Sequence, residues 1–272
     1  MRHCQNTLTP IEICAFYLSQ TIFGLSTTLI VAANRDEFFA RPSKATHFWD
    51  DISGMLAGRD EQAGGTWLGI NRQGQFAAVT NFRIPSKFNS MARSRGDLAT
   101  NFLTNDPEQD FYNNLETDFA DYNPFNLVVG DAVNLSVFSS EAPELPKLTP
   151  GYHPISNGLP GDHWPTMSRG ASALRSYLEQ APEVDVSYLA GLLRDSARGP
   201  HSELPNTGIG EQVEHALSSV FIDTQDFPAG KYGTRTSTVV LFNHKEVHYH
   251  EYNYQAGGVL IGQQNFRVPL DG

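Results

Sequence analysis

The sequence predicts an α+β fold in which two mainly antiparallel sheets stack on each other and are flanked by helices. Three observations carry that expectation. Short apolar runs broken by turn residues extend from Ile11 to Val79, helical spacing appears between Ser94 and Leu115 and between Ala171 and Ser218, and strand character returns from Thr234 to Tyr254. Strands, then helices, then strands again is the order that leaves helices covering stacked sheets.

The elements follow in sequence. Ile13–Leu18, Thr28–Ala33, Met55–Ala57, Thr66–Ile70 and Phe76–Val79 read as a meander of strands, with Gly64-Gly65 and the stretch from Asn71 to Gly74 supplying tight reversals. Leu98, Phe102 and Leu103, then Phe111, Tyr112 and Leu115, recur at helical intervals and predict two helices over one sheet face. Phe125–Gly130 and Leu135–Phe138 form a second hairpin through residues 131–134. Prolines from Pro143 to Pro165 predict an irregular connection, while Tyr152, Ile155 and Trp164 within it want burial and argue against a domain boundary. Ala171–Gln180 and Val186–Arg194 read as amphipathic helices, and Glu211–Ser218 adds a turn or two. Thr234–Phe242, a turn at Asn243-His244-Lys245 and Val247–Tyr254 form a hairpin expected to close the chain.

The chain has 272 residues, 40% of them apolar, enough for one sizeable core. Its 19 basic and 30 acidic residues give a net charge of −11, which disfavours nucleic acid and anionic membrane surfaces as partners. Cys4 and Cys14 make no disulfide framework, so a reducing, cytoplasmic setting is expected. No run approaches the length of a membrane helix, and no signal peptide is read at the N-terminus, so no stable membrane insertion is expected.

Phosphate-loop, dinucleotide-loop, His-Glu-x-x-His and Cys-x-x-Cys motifs are absent from the sequence. His244, His248 and His250 imitate a metal set, but without cysteine helpers they read as a solvated hairpin face; no metal site or catalytic cofactor is expected. The feature that stands out is the strand Val31-Ala32-Ala33 running directly into Asn34-Arg35-Asp36-Glu37. A charged tetrad at a strand exit ordinarily solvates a turn. An arginine there also stays cationic and lowers the pKa of a neighbouring thiol, and Cys14 supplies one. Trp49, Trp67 and Trp164, with Phe16, Phe38 and Phe82, are candidates to line an apolar ligand pocket, although core packing is the commoner fate of such residues.

Several segments together resemble the NRDE family, also called the transport and Golgi organization family. They are Ala32-Ala33-Asn34-Arg35-Asp36-Glu37-Phe38, Leu56-Ala57-Gly58-Arg59-Asp60, Gly64-Gly65-Thr66-Trp67-Leu68-Gly69, Thr80-Asn81-Phe82-Arg83, Ser94-Arg95-Gly96, Asn126-Leu127, Ser156-Asn157-Gly158 and Tyr232-Gly233-Thr234-Arg235. The resemblance runs in order from Cys14 to about Leu260. It implies membership of the Ntn-hydrolase superfamily and hence a four-layer αββα sandwich, as one domain over residues 14–272 after an extension at 1–13.

The same resemblance implies a site. Cys14 becomes the candidate nucleophile, Arg35 and Asp36 its orienters, Asn81 and Asn157 the oxyanion donors and Arg235 a second cation. Asn34, Glu37, Arg59, Trp67 and Arg83 become candidate ligand contacts. Arg35 and Asp36 are adjacent and point to opposite faces of an extended strand, so only one of them faces Cys14. Two functions follow. One is an amidohydrolase acting on a small or lipid-like amide or thioester. The other is a carrier of haem or of acyl-CoA and related lipids that uses the same cleft without turnover, haem then being cargo. Family members begin Met-Cys, whereas thirteen residues precede Cys14 here. Translation from Ile13, cleavage of residues 1–13 and a catalytically silent chain are the three explanations.

Overall fold

A computed structural model describes residues 13–20 (backbone only), 27–104, 111, 119–142, 148–181 and 183–271. Among these residues thirteen strands form two antiparallel sheets. The first runs β13-β12-β11-β2-β1-β9, with β10 on the end of β11: β1 is Ile13–Gln20, β2 Leu29–Phe38, β9 Gly151–Ile155, β10 Gln225–Phe227, β11 Gly230–Phe242, β12 Glu246–Gln255 and β13 Val259–Pro269. The second runs β3-β4-β5-β6-β7-β8: β3 is Ser43–Phe48, β4 Leu56–Asp60, β5 Leu68–Ile70, β6 Phe76–Asn81, β7 Phe125–Gly130 and β8 Leu135–Ser139. Four helices are described, α1 (Gly96–Thr104), α2 (Pro165–Leu178), α3 (Val186–Leu192) and α4 (Glu211–Ala216).

The layering follows from side-chain alternation, because strand residues two apart share a face. On β2, Leu29, Val31 and Ala33 join Leu68, Phe76 and Val128 of the second sheet in the inter-sheet core. Ile30 and Ala32 face the other way and pack on Leu174, Leu178, Leu189 and Leu193 of the helical layer. The outer face of the second sheet, with Ala57, Ala77 and Val129, is covered by Leu98, Phe102 and Leu103 of α1. Helix, sheet, sheet, helix is therefore the order of the layers, as expected.

Three strands differ from the sequence reading. The hairpin β11–β12 does not close the chain: Gly257 and Gly258, at φ 86° and 65°, turn it back into β13. Its Gly, Gln and Asn content masked the strand. β9 forms inside the proline-rich connection, with Pro154 at the sheet edge, where a missing N–H is tolerated. β3 carries only weak alternation and an irregular register between Lys44 and His47. The expected second helix near Leu115 lies outside the described residues apart from Phe111, which is helical, as does the extension up to residue 12. No helix among the described residues is long and apolar enough to cross a membrane.

α1 is seated by a backbone contact. A Cβ on Gly65 would stand 2.5 Å from the Gly96 carbonyl carbon and 2.9 Å from the Asp97 nitrogen, so neither partner can yield by rotating a side chain. Gly65→Ala is expected to lower stability by about 1–3 kcal/mol, as forced overpacking does. A urea midpoint measured against wild type checks this; an unchanged midpoint would mean the helix is not held there.

Candidate functional site

β2 lies between β1 and β11, and the register fixes what stands in one row. Cys14 pairs with Arg35, and Arg35 pairs with Thr236. Directly opposed residues of an antiparallel pair belong to one sheet face, so positions 14, 35 and 236 form a line across three strands. Arg35 and Glu37 continue the inward face of Leu29, Val31 and Ala33, while Asn34 and Asp36 fall on the helix-covered face. Arg35, not Asp36, thus shares a face with position 14.

Arg35 is 2% exposed and Glu37 fully buried. The guanidinium of Arg35 lies 4.2 Å over the Trp67 ring, and its Nη2 is 3.7 Å from Glu37 Oε2. The same carboxylate oxygen is 3.7 Å from Arg41 Nε, and Arg41 binds Asp60 Oδ2 through Nε and Nη2 at 2.8 and 2.6 Å. Glu37 is therefore a counter-ion held inside the protein. Arg235 leaves β11 at the bulge between Thr234 and Thr236. Its Nη1 donates to the carbonyls of Phe38, at 3.3 Å, and Arg41, bracing the turn after β2. Burial, then repulsion from Arg35, pushes its pKa down, with Glu37 and Asp60 opposing.

The other face of β2 carries a second polar cluster. Asn34 Nδ2 donates to the Leu193 and Val220 carbonyls at 2.8 Å each, and its Oδ1 accepts from Ser237 Oγ at 2.6 Å. Its amide pins the strand to the helical layer. Asp36 accepts from the Thr234 hydroxyl. Burial raises its pKa from 3.8 to about 8, against the opposing effects of that hydrogen bond, Arg35 and Arg83.

Arg83 joins Asp36 to the asparagines. Its Nη1 binds Glu214 Oε2 of α4 at 2.6 Å, its Nη2 donates to Asn157 Oδ1 at 3.3 Å, and its backbone N–H donates to the Asn157 carbonyl at 2.8 Å. Asn157 Nδ2 in turn donates to the Asn81 carbonyl at 2.8 Å. Thr80 Oγ1 and Asn126 Nδ2 both donate to the Ser156 carbonyl at 2.8 Å, and Asn126 also reaches the Gly158 carbonyl at 2.8 Å. The segment carrying Asn157 is thereby fixed to β6 and β7. Asn81 Nδ2 is different: it is buried and has no hydrogen-bond partner among the described residues.

Asn81, Arg83 and Asn157 line a small recess with Phe88, Arg95 and Asn123. Those last three also line a cavity of about 420 Å³ that includes Trp67, Arg41, Asp60 and Gly96. Arg59 is not brought into this groove. It forms a two-pronged pair with Asp51 at 2.8 Å, lies 4.1 Å over Trp49 and borders a separate hollow with Lys44 and His47. Sequence reasoning gave no role to Thr80, Asn126, Glu214 or Thr236. An amide inside the apolar run Phe125–Gly130 was a signal for Asn126; Glu214 left none.

Asp36 also governs a pH dependence. Its pKa is higher folded than unfolded, so the folded state holds the proton more tightly, and the stability this contributes is lost as pH rises from about 4 towards 8. The steepest loss is on the order of 1.4 kcal/mol per pH unit for one proton. Chemical denaturation across that range should show the decline in wild type and its absence in Asp36→Asn; parallel curves would refute the assignment.

The family model described as Transport and Golgi organisation 2 matches residues 13–256. The human Transport and Golgi organization protein 2 homolog is 34% identical over 230 residues, covering 78% of this chain and 81% of that protein. The Drosophila melanogaster protein of that name is 27% identical over 233 residues, with the same coverage. Among solved structures, a variant of conjugated bile acid hydrolase from Clostridium perfringens aligns with 93% of this chain and 92% of its own, at 11% identity and a TM-score of 0.48.

Proposed function

The chain belongs to the Transport and Golgi organisation 2 family, and from that premise we propose that it is an N-terminal-nucleophile hydrolase that cleaves a small or lipid-like amide or thioester with Cys14. The observation that carries the proposal is the pairing of Cys14 with a buried cation, Arg35, together with the side-chain amide of Asn81, which has no hydrogen-bond partner among the described residues. β1 also approaches β6, the strand that ends at Asn81.

In this reading removal of the preceding residues frees the Cys14 α-amine, which takes the thiol proton as the sulfur attacks the carbonyl carbon. Arg35 favours the thiolate by its charge. Asn81 Nδ2 donates to the oxyanion that forms on the carbonyl oxygen, and Asn157, held by Arg83, sets the position of Asn81. Collapse expels the amine or thiol, which leaves with the proton from the α-ammonium. The thioester on Cys14 is then hydrolysed by water, the α-amine accepting its proton. Asp36 stands on the far face of β2 and acts as a positioning residue through Arg83.

A second reading keeps the groove without the chemistry. In this sequence Ile13 precedes Cys14, and an amide nitrogen is no base; a chain that retains residues 1–13 would serve as a carrier of haem, acyl-CoA or a related lipid. The scarcity of cysteines fits a cytoplasmic setting for either role.

The test compares the full chain with one beginning at Cys14, using an activated thioester of a short-chain acid as probe. The shorter chain should form an acyl adduct on Cys14, seen by intact mass, and turn over. Asn81→Ala should slow turnover by about 10²–10³, as loss of one oxyanion donor does. Turnover that survives Cys14→Ala would exclude the hydrolase reading. Ligand binding without an adduct, equal in both chains, would support the carrier.

A further inference from the structure

An oxyanion is stabilised by donors fixed in place before it forms, and acyl-transfer sites commonly aim two of them at one oxygen. If Cys14 is the nucleophile of a hydrolase, one donor is Asn81 Nδ2, and a second has to be found. Asn157 is committed within the protein: its Nδ2 donates to the Asn81 carbonyl at 2.8 Å, and its Oδ1 accepts from Arg83 Nη2 at 3.3 Å. Attention turns to the arginine that holds it.

Among the residues lining the small recess, two buried donor atoms have no hydrogen-bond partner among the described residues, Asn81 Nδ2 and Arg83 Nε. Their residues are 6 and 8% exposed. A buried donor without an acceptor is costly, and two on one recess mark a place built to receive an acceptor. The recess has about 30 Å³ of room, which admits a carbonyl oxygen or a water but no acyl chain. The rest of the Arg83 guanidinium is held on every side: Nη1 on Glu214 Oε2 at 2.6 Å, Nη2 on Asn157, and the central carbon 5.1 Å from the centre of the Trp164 ring. Glu214 is fixed in turn, its Oε1 accepting from the Thr207 N–H at 3.0 Å and the Thr207 hydroxyl at 2.5 Å. The recess also adjoins the right end of β1. β9 pairs with β1 as far as Phe16 and Ile155, and the chain leaving β9 carries Asn157, whose carbonyl accepts from the Arg83 N–H.

We propose that Arg83 is a catalytic residue whose Nε–H gives the oxyanion a second hydrogen bond beside that of Asn81 Nδ2. The role rests on the hydrolase reading of Cys14. As the sulfur bonds to the carbonyl carbon, the π pair of the carbonyl moves onto its oxygen, which takes two hydrogen bonds and no proton. As the pair returns, the carbon–nitrogen or carbon–sulfur bond breaks and the leaving group departs with the α-ammonium proton. An arginine suits the task because it stays protonated and its planar fork lets two nitrogens be anchored while the third donates. Glu214 balances its charge at rest and, with Asn157, acts through it as a positioning residue.

The chain beginning at Cys14 is assayed with the activated short-chain thioester and with the aldehyde of the same acid, which adds to the sulfur as a tetrahedral hemithioacetal. Arg83→Lys keeps a cation beside Glu214 and removes the Nε–H. It should lower kcat by about 10²–10³, as loss of one oxyanion donor does, with little change in KM. It should also raise the carbonyl stretching frequency of the acyl group on Cys14, which loses a hydrogen bond; a purely structural role would reduce the active fraction without moving that frequency. A crystal structure of the wild-type chain with the aldehyde bound, which needs no variant to fold, should place the tetrahedral oxygen within about 3.1 Å of both Asn81 Nδ2 and Arg83 Nε. An oxygen held by Asn81 and Asn157 instead, or an unchanged kcat and frequency in Arg83→Lys, overturns the role of Arg83 and leaves the hydrolase standing. A wild type that forms no adduct on Cys14 overturns both.

Discussion

Arg35 is a cation on a strand whose three preceding inward positions, Leu29, Val31 and Ala33, are all in an apolar core. A guanidinium removed from water needs both a counter-charge and a surface for its planar faces. Glu37, two residues on and on the same face, supplies the first, and the Trp67 ring supplies the second. Glu37 is then itself a buried charge, stabilised by Arg41, which Asp60 holds in turn. The strand register that fixes Arg35 also fixes Cys14 opposite it. The polar end of the sandwich is thus a chain of consequences from one buried cation.

The alternate residues of the same strand face a different problem. Asn34 and Asp36 enter the helical layer, where Asn34 is completed by main-chain carbonyls and Asp36 by Thr234. Arg83 feels Asp36 electrostatically while pairing with Glu214 and holding Asn157. A buried pair of this kind contributes little net stability but makes the loss of one partner costly, by about 3–5 kcal/mol. Its effect here is geometric, since the Asn157 it fixes is bonded to Asn81, whose side-chain amide has no partner among the described residues.

How much of this could be read from the sequence divides along a physical line. Apolar runs such as Phe76–Val79 and Thr234–Phe242 announce strands because their burial drives folding, and the layering followed from their order. β13 was missed because its glutamines and glycines carry no such signal and the strand is stabilised by pairing with β12. The tetrad from Asn34 to Glu37 was legible as unusual, but contiguity in sequence concealed that its members face opposite ways. Asn34 and Glu37 proved internal for that reason, and Arg59 belongs to a pair with Asp51 that no local pattern revealed. Register, the one fact that sets Cys14 against Arg35, depends on distant pairing and left no local trace.

A nucleophilic role for Cys14 requires that the cation opposite it in the register lower the pKa of its thiol. The most direct measurement is the pH dependence of Cys14 alkylation, followed by peptide mass spectrometry so that Cys4 is counted separately, in wild type and Arg35→Met. The expected result is a wild-type thiol that titrates below the ordinary value of about 8.5 and rises by about one unit or more when the cation is removed. A thiol that titrates at its ordinary value in both proteins would contradict it.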